Sequence, residues 1–155
     1  MNIIELKERE DISENVKLGQ IYAQFKELLN ELKNRELPFE IIKSVNQCVE
    51  EVNSTCFNGN ELRKFVKNKQ TKIIDLLEKE LKIVPKNHYK NLWLALGMCV
   101  FGVPFGVIFG TIFDNNLSFL AIGLPIGLAI GIAFGSALDK KAAKEGRQLD
   151  IEIKY

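Results

Sequence analysis

Apolar and polar positions divide the chain into three amphipathic stretches followed by two unbroken apolar ones. Over residues 3–35 the composition favours helix, and Leu18, Ile21, Phe25, Leu28 and Leu32 recur at alternating steps of three and four. That is a one-sided apolar stripe, and it predicts one long amphipathic helix with Gly19 as a candidate break. Pro38 suits the first turn of a second helix, where its missing N–H has no partner to lose. Ile42, Val45, Val49, Val52 and Cys56 form the stripe of that helix. Phe57-Asn58-Gly59-Asn60 supplies a stop and a new start, with Gly59 able to take positive φ and Asn60 able to cap. A third helix is expected over residues 61–84, with Leu62, Val66, Ile73, Leu77, Leu81 and Val84 on its face, and Pro85 ends or kinks it. Short connections favour an antiparallel bundle of the three. Coiled-coil pairing with other copies is the alternative, limited by stripes of only two or three heptads.

Residues 92–113 and 117–138 are each 22 residues without a charge. As helices they would each be about 33 Å long, enough for the hydrocarbon core of a bilayer. The turn Asp114-Asn115-Asn116 would join them into a hairpin. Small and large residues alternate strictly from Ala121 to Gly135, and a period of two is also a strand signal. Glycine and proline weaken strands, and this alternation presents no polar face, so the helical membrane reading prevails. The expected fold class is therefore all-α: a helical domain over residues 1–85, a two-span hairpin over 86–139, and a tail over 140–155. Gly146 is a candidate helix stop. Beyond it Leu149, Ile151, Ile153 and Tyr155 alternate with polar residues, which suggests a short strand or a docked extended tail.

Charge adds an orientation. The net charge of +1 conceals 7 basic and 12 acidic side chains over residues 1–61 against 9 and 3 over 62–90. Lys82, Lys86 and Lys90 precede the first span, Lys140, Lys141, Lys144 and Arg147 follow the second, and the joining turn has no basic residue. The positive-inside rule then puts both termini in the cytoplasm. The same lysines are candidates for anionic lipid headgroups, as is the run Arg63, Lys64, Lys67, Lys69, Lys72, for which lipid is preferred over nucleic acid. Tyr89 and Trp93 fall where an interfacial aromatic belt belongs, with His88 beside them. The N-terminus is heavily charged and has no signal-peptide pattern.

Small residues organise the spans. Gly123, Gly127, Gly131 and Gly135 recur every four residues in the second, and Gly97, Gly102, Gly106 and Gly110 stand in the first. In an antiparallel hairpin Gly110 and Gly123, Gly106 and Gly127, Gly102 and Gly131, and Gly97 and Gly135 fall at matched depths. Helices that meet in lipid gain from such close approach, because hydrophobic drive between them is weak. A second row, Ala121, Pro125, Ala129, Ala133 and Ala137, lies about 200° around the helix. Lipid does not require small side chains, so this row is a candidate face for another copy of the chain. Phe101, Phe105, Phe109 and Phe113 form a row beside the glycines of the first span. Pro104 and Pro125 are candidate kinks.

The four-residue glycine repeat followed by Leu138-Asp139-Lys140-Lys141 resembles the glycine-zipper two-span proteins of bacteria, over about residues 89–148. The resemblance implies a bacterial cytoplasmic membrane location and close helix packing. The alternation is also similar to that of rotor-ring subunits of rotary ATP synthases. Those carry an ion-binding carboxylate in a span, whereas Cys99 is the sole ionisable side chain here, which argues against ion carriage. Cys48, Cys56 and Cys99 form no CxxC pair and suggest neither a disulfide framework nor a zinc site. No P-loop, GxSxG, HExxH or strand-borne GxGxxG occurs, so no catalytic residue, metal or cofactor is expected. The expected partners are lipids, other copies of the chain and a cytoplasmic protein bound by the N-terminal helices. Two functions compete: a non-enzymatic, self-associating scaffold, sensor or adaptor, and an oligomeric pore or membrane-disrupting effector controlled by its soluble domain.

Overall fold

The computed structural model describes residues 2–9, 12, 15–113, 118 and 120–153. In chain order the elements are α1 (Val16–Lys33), α2 (Phe39–Ser54), α3 (Gly59–Leu81), β1 (Val84–Lys86), α4 (His88–Gly97), a π-helical turn (Met98–Gly102), α5 (Val103–Ile112), α6 (Leu120–Lys144) and β2 (Gln148–Glu152). The protein is mostly helical. Two continuous helical stretches, His88–Ile112 and Ala121–Lys144, are long and apolar enough to cross a membrane. The expected turn at Asp114-Asn115-Asn116, the start of the second span at Leu117 and the final Tyr155 lie outside the described residues. The chain forms two compact units, Met1–Val84 with Leu149–Tyr155, and Pro85–Gln148. The strands β1 and β2 pair as a two-stranded sheet, a departure from a purely α architecture.

In the first unit α1 starts at Val16, not near residue 3. Asn15 is extended, and its side-chain oxygen accepts from the Lys17 and Leu18 N–H groups at 3.1 and 3.2 Å, which fixes the helix start. Residues 2–9 are not helical, because their backbone groups find partners on α2 instead. The Asn46 amide accepts from Ile4 N–H at 2.9 Å and donates to the Asn2 carbonyl at 3.1 Å. The Asn53 amide does the same for Lys7 N–H and the Glu5 carbonyl, at 2.9 and 3.0 Å. Gly19 lies within α1 and does not break it. Pro38 caps α2 from outside its first turn. That helix ends at Ser54, so Cys56 is exposed rather than part of the stripe, and Cys48 is the buried thiol. The third helix ends at Leu81, earlier than expected, with Lys82 at φ 55°. Val84 is buried in β1, beside Pro85, instead of on the helix face.

Phe25, Leu28 and Leu32 of α1, Val45, Val49 and Val52 of α2, and Leu62, Val66, Ile73 and Leu77 of α3 share one core. Ile3 from the N-terminal segment and Leu149, Ile151 and Ile153 from the C-terminal end complete it. Each such aliphatic side chain contributes about 1.5–3 kcal/mol on burial. Leu149 and Ile151 thus form a strand face packed into the first unit, and Ile153, just beyond the strand, joins the same core.

Candidate functional site

The second unit is built from α4, the π turn and α5 lying against α6. Glycines set the separation. A Cβ on Gly127 would lie 2.5 Å from the Gly97 carbonyl oxygen and 2.6 Å from the Gly102 Cα. One on Gly123 would lie 2.7 Å from the Gly106 Cα, and one on Gly97 2.7 Å from the Gly131 Cα. At the open end a Cβ on Gly135 would lie 2.5 Å from the Lys90 Cα. Any side chain at these positions would drive backbone from backbone, so the close approach depends on glycine. The facing partners differ from the depth-matched ones. Gly123 meets Gly106 rather than Gly110, Gly127 meets Gly102 rather than Gly106, and Gly131 meets Gly97 rather than Gly102. The pairing is shifted by about one helical turn, and Gly135 consequently faces Lys90 and Tyr89.

The π turn explains why Gly97 and Gly102, five residues apart, share a face. In a regular α-helix five residues would leave the second about 140° from the first. A π turn absorbs one additional residue, and backbone atoms of both glycines then lie against Gly127. Pro104 follows in the first turn of α5. Its ring would clash with the carbonyl of Val100 in regular α geometry, and Val100 lies within the π turn. Pro125 sits inside α6, which continues through it.

A carboxylate closes the open end of the pair. Asp139 of α6, 7% exposed, accepts from the backbone N–H groups of Tyr89 and Lys90 at 3.1 and 2.9 Å. These are first-turn donors of α4, whose own preceding residue, Asn87, sits at φ 58° and makes no side-chain cap. Asp139 follows Gly135 by one turn on the same face of α6, so the glycine that admits Lys90 also brings the carboxylate within reach. A negative charge at a helix N-terminus is favoured by the helix dipole as well. Sequence reasoning missed this role; the step of four from Gly135 to Asp139 continues the glycine row and was its visible trace.

Comparison with protein-family models, with curated proteins and with solved structures returned no match. The site is therefore read from its own geometry. The row Ala121, Pro125, Ala129, Ala133 and Ala137 is exposed throughout. The spans otherwise present Val100, Val107, Ile112, Ile122 and Phe134 outward, and little of either span is buried within the chain. Trp93 stacks on Phe134 with ring centroids 5.6 Å apart, while His88 meets Tyr89 edge-on at 5.1 Å. Phe101, Phe105 and Phe109 follow one another at 6.5 Å. Lys82, Lys86, Lys140, Lys141 and Lys144 have exposed side chains; Lys90 is half-buried, with its backbone engaged by Asp139.

The end of α6 is sealed by backbone geometry. Gly146 takes φ 69°, its N–H bonds to the Ala143 carbonyl, and Arg147 N–H bonds to Ala142. Arg147 also donates to Glu145 at 2.8 Å, which holds that carboxyl below its ordinary range. Among the described residues no group of three or more His, Cys, Asp or Glu side chains is placed to hold a metal ion.

Proposed function

We propose that the protein is a non-enzymatic, self-associating integral membrane protein whose helical first unit acts as a scaffold, sensor or adaptor. The carrying observation is the division of small residues on α6. The glycine row is used within the chain, and the Ala121, Pro125, Ala129, Ala133, Ala137 row stays exposed. In a bilayer that row would receive a neighbouring helix at close range. The outward apolar surface of both spans supports placement in lipid, because the core helix of a soluble protein would be mostly buried. Positive residues at both flanks of the hairpin support cytoplasmic termini. Lys86, Lys140, Lys141 and Lys144 would then meet anionic headgroups.

The exposed small-residue row also allows closed rings, which favours a second reading as a pore or membrane-disrupting effector. Neither span offers a polar row to line a pore, so conduction would pass through an apolar constriction. Oligomeric mass in detergent, followed by dye and ion leakage from liposomes, tests both. A monomer contradicts self-association. An oligomer without leakage supports the scaffold, and leakage that depends on the alanine row supports the pore.

A further inference from the structure

The apolar stripes of α1 and α3 are bordered by largely polar flanks that line a common groove of about 970 Å³. On α1, Lys17, Gln20 and Gln24 follow at steps of three and four, beside the buried Leu18, Phe25 and Leu28. On α3, Arg63, Lys64 and Lys67 stand beside the buried Leu62 and Val66. Residues three or four apart are neighbours on a helix surface, so each set runs along one flank of its helix. The shared core joins the two helices, and the groove opens above it between the flanks.

Elsewhere in this unit cations are neutralised at close range. Lys33 meets Glu5 at 2.6 Å, Arg35 meets Glu31 at 3.1 Å, Lys26 meets Glu8 at 3.9 Å, and Lys69 turns to Glu51. Lys17, Arg63 and Lys64 differ, for none of them has an ion pair among the described residues. With Lys67 they bring four cations to the groove, against two carboxylates, Glu27 and Glu152. Glu152 lies toward Gln24, whose amide donates to its backbone carbonyl at 3.5 Å. Gln24 is seven residues along α1 from Lys17, a distance of about 10.5 Å.

Cations gathered at one groove repel one another, and an anion placed among them relieves that repulsion. Phosphate oxygens suit this donor set: the Arg63 guanidinium offers a planar fork, the lysines offer ammonium groups, and Gln20 offers an amide donor. The groove is of the size of small-molecule sites, which run to about 300–1,000 Å³. Glu27 and Glu152 would repel a long polyanion laid along its whole length. A compact anion avoids them.

We propose that the α1–α3 groove binds a compact phosphate-bearing anion through Lys17, Arg63, Lys64 and Lys67. The site lies wholly within the first unit, so it does not rest on self-association or on placement of the spans in a membrane. It gives the first unit a ligand class: a soluble phosphorylated molecule, or the phosphorylated headgroup of a lipid.

The test uses the full chain in uncharged detergent, with inorganic triphosphate as the soluble probe and short-chain phosphatidylglycerol as the headgroup probe. Calorimetric titration gives the affinity, and the upward shift in thermal unfolding checks it. Saturable binding at the groove is expected; triphosphate alone identifies a soluble ligand, and phosphatidylglycerol alone identifies a headgroup. Arg63→Gln combined with Lys64→Gln should weaken binding about tenfold or more, through loss of charge-assisted bonds. Glu27→Gln combined with Glu152→Gln should tighten triphosphate binding severalfold, a gain that a misfolded variant would not give. Lys43→Gln, exposed on α2 and outside the groove, should change neither affinity. Absence of binding by both probes overturns the proposal. So does an affinity that neither pair of groove substitutions moves, or one that Lys43→Gln weakens as much as the Arg63 and Lys64 pair.

Discussion

Asp139 reaches back across the hairpin to accept the backbone N–H of Lys90 at 2.9 Å, and its second oxygen takes that of Tyr89. One side chain from the last third of α6 thereby caps the helix that starts the hairpin. The Asp139→Ala variant leaves two first-turn donors without this acceptor, and its hairpin should lose about 1–2 kcal/mol. Asp139→Asn keeps one acceptor oxygen and should lose less. Unfolding in mixed micelles measures both, and equal stability of Asp139→Ala and the parent protein contradicts the capping role.

The two small-residue rows of α6 should respond differently to bulk. Gly127→Ala and Gly131→Ala insert a methyl against backbone atoms of the opposing helix, and each should destabilise the hairpin by about 1–3 kcal/mol. Ala129→Leu and Ala133→Leu add bulk to the exposed row. They should leave the hairpin folded and lower its oligomeric mass. Paired measurements of unfolding and of mass in detergent check this; loss of hairpin stability in the alanine-row variants would mean that the exposed row is structural.

Deletions probe the π turn. Removing Cys99 shortens the step from Gly97 to Gly102 to four, which a regular helix accommodates on the same face. Removing Val107 shortens the step from Gly106 to Gly110 to three and rotates Gly110 by about 100°. The first deletion should preserve more of the hairpin's unfolding free energy than the second. Equal losses would show that the π turn does not set the glycine alignment.

The helices with strong stripes were legible because their apolar spacing matched the helical period, as with Leu18, Phe25, Leu28 and Leu32. Gly146 as a stop and the burial of Leu149, Ile151 and Ile153 were legible for similar local reasons. The non-helical segment 2–9 was not. Its residues favour helix by composition, and the groups that draw it into extended form are the amides of Asn46 and Asn53, more than 40 positions away. The turn-by-turn pairing of the glycines was also hidden. Equal spacing in the two rows lets them align but does not fix at which turn. The shift is already present where Gly123 meets Gly106, and the π turn adds one further residue between Gly97 and Gly102. The five-residue step from Gly97 to Gly102 was the local sign of that irregularity. Asp139 resembled one more flanking charge until its position one turn past Gly135 could be related to the start of α4.

The two α2 asparagines that hold residues 2–9 differ in burial, and their variants should differ accordingly. Asn46 is 4% exposed, so Asn46→Ala strands the Ile4 N–H and Asn2 carbonyl in a partly buried setting. The loss should be about 1–3 kcal/mol, against about 0.5–1.5 kcal/mol for the more open Asn53→Ala. Hydrogen exchange at the Ile4 and Lys7 amides gives a direct readout. In the parent both should be protected, Asn46→Ala should release Ile4 and Asn53→Ala should release Lys7; unchanged protection in both variants would refute these contacts.

Acid should weaken the join between α2 and α3. Lys69 of α3 is hydrogen-bonded to Glu51 of α2, and this bond holds the Glu51 carboxyl below its ordinary value of 4.5. Since the folded value is the lower one, the stabilisation is fully present above about pH 4.5 and disappears as the pH falls through the folded value. The Glu51 side chain is 35% exposed, so solvent screening limits the contribution to no more than about 1 kcal/mol. Glu51→Gln and Lys69→Met should each lower stability at pH 7 by up to that amount and converge with the parent in acid. Thermal unfolding of the full chain in detergent at a series of pH values between 3 and 7 measures the difference. A gap between parent and Glu51→Gln that persists unchanged at the acid end would show that the pair does not titrate as the geometry requires.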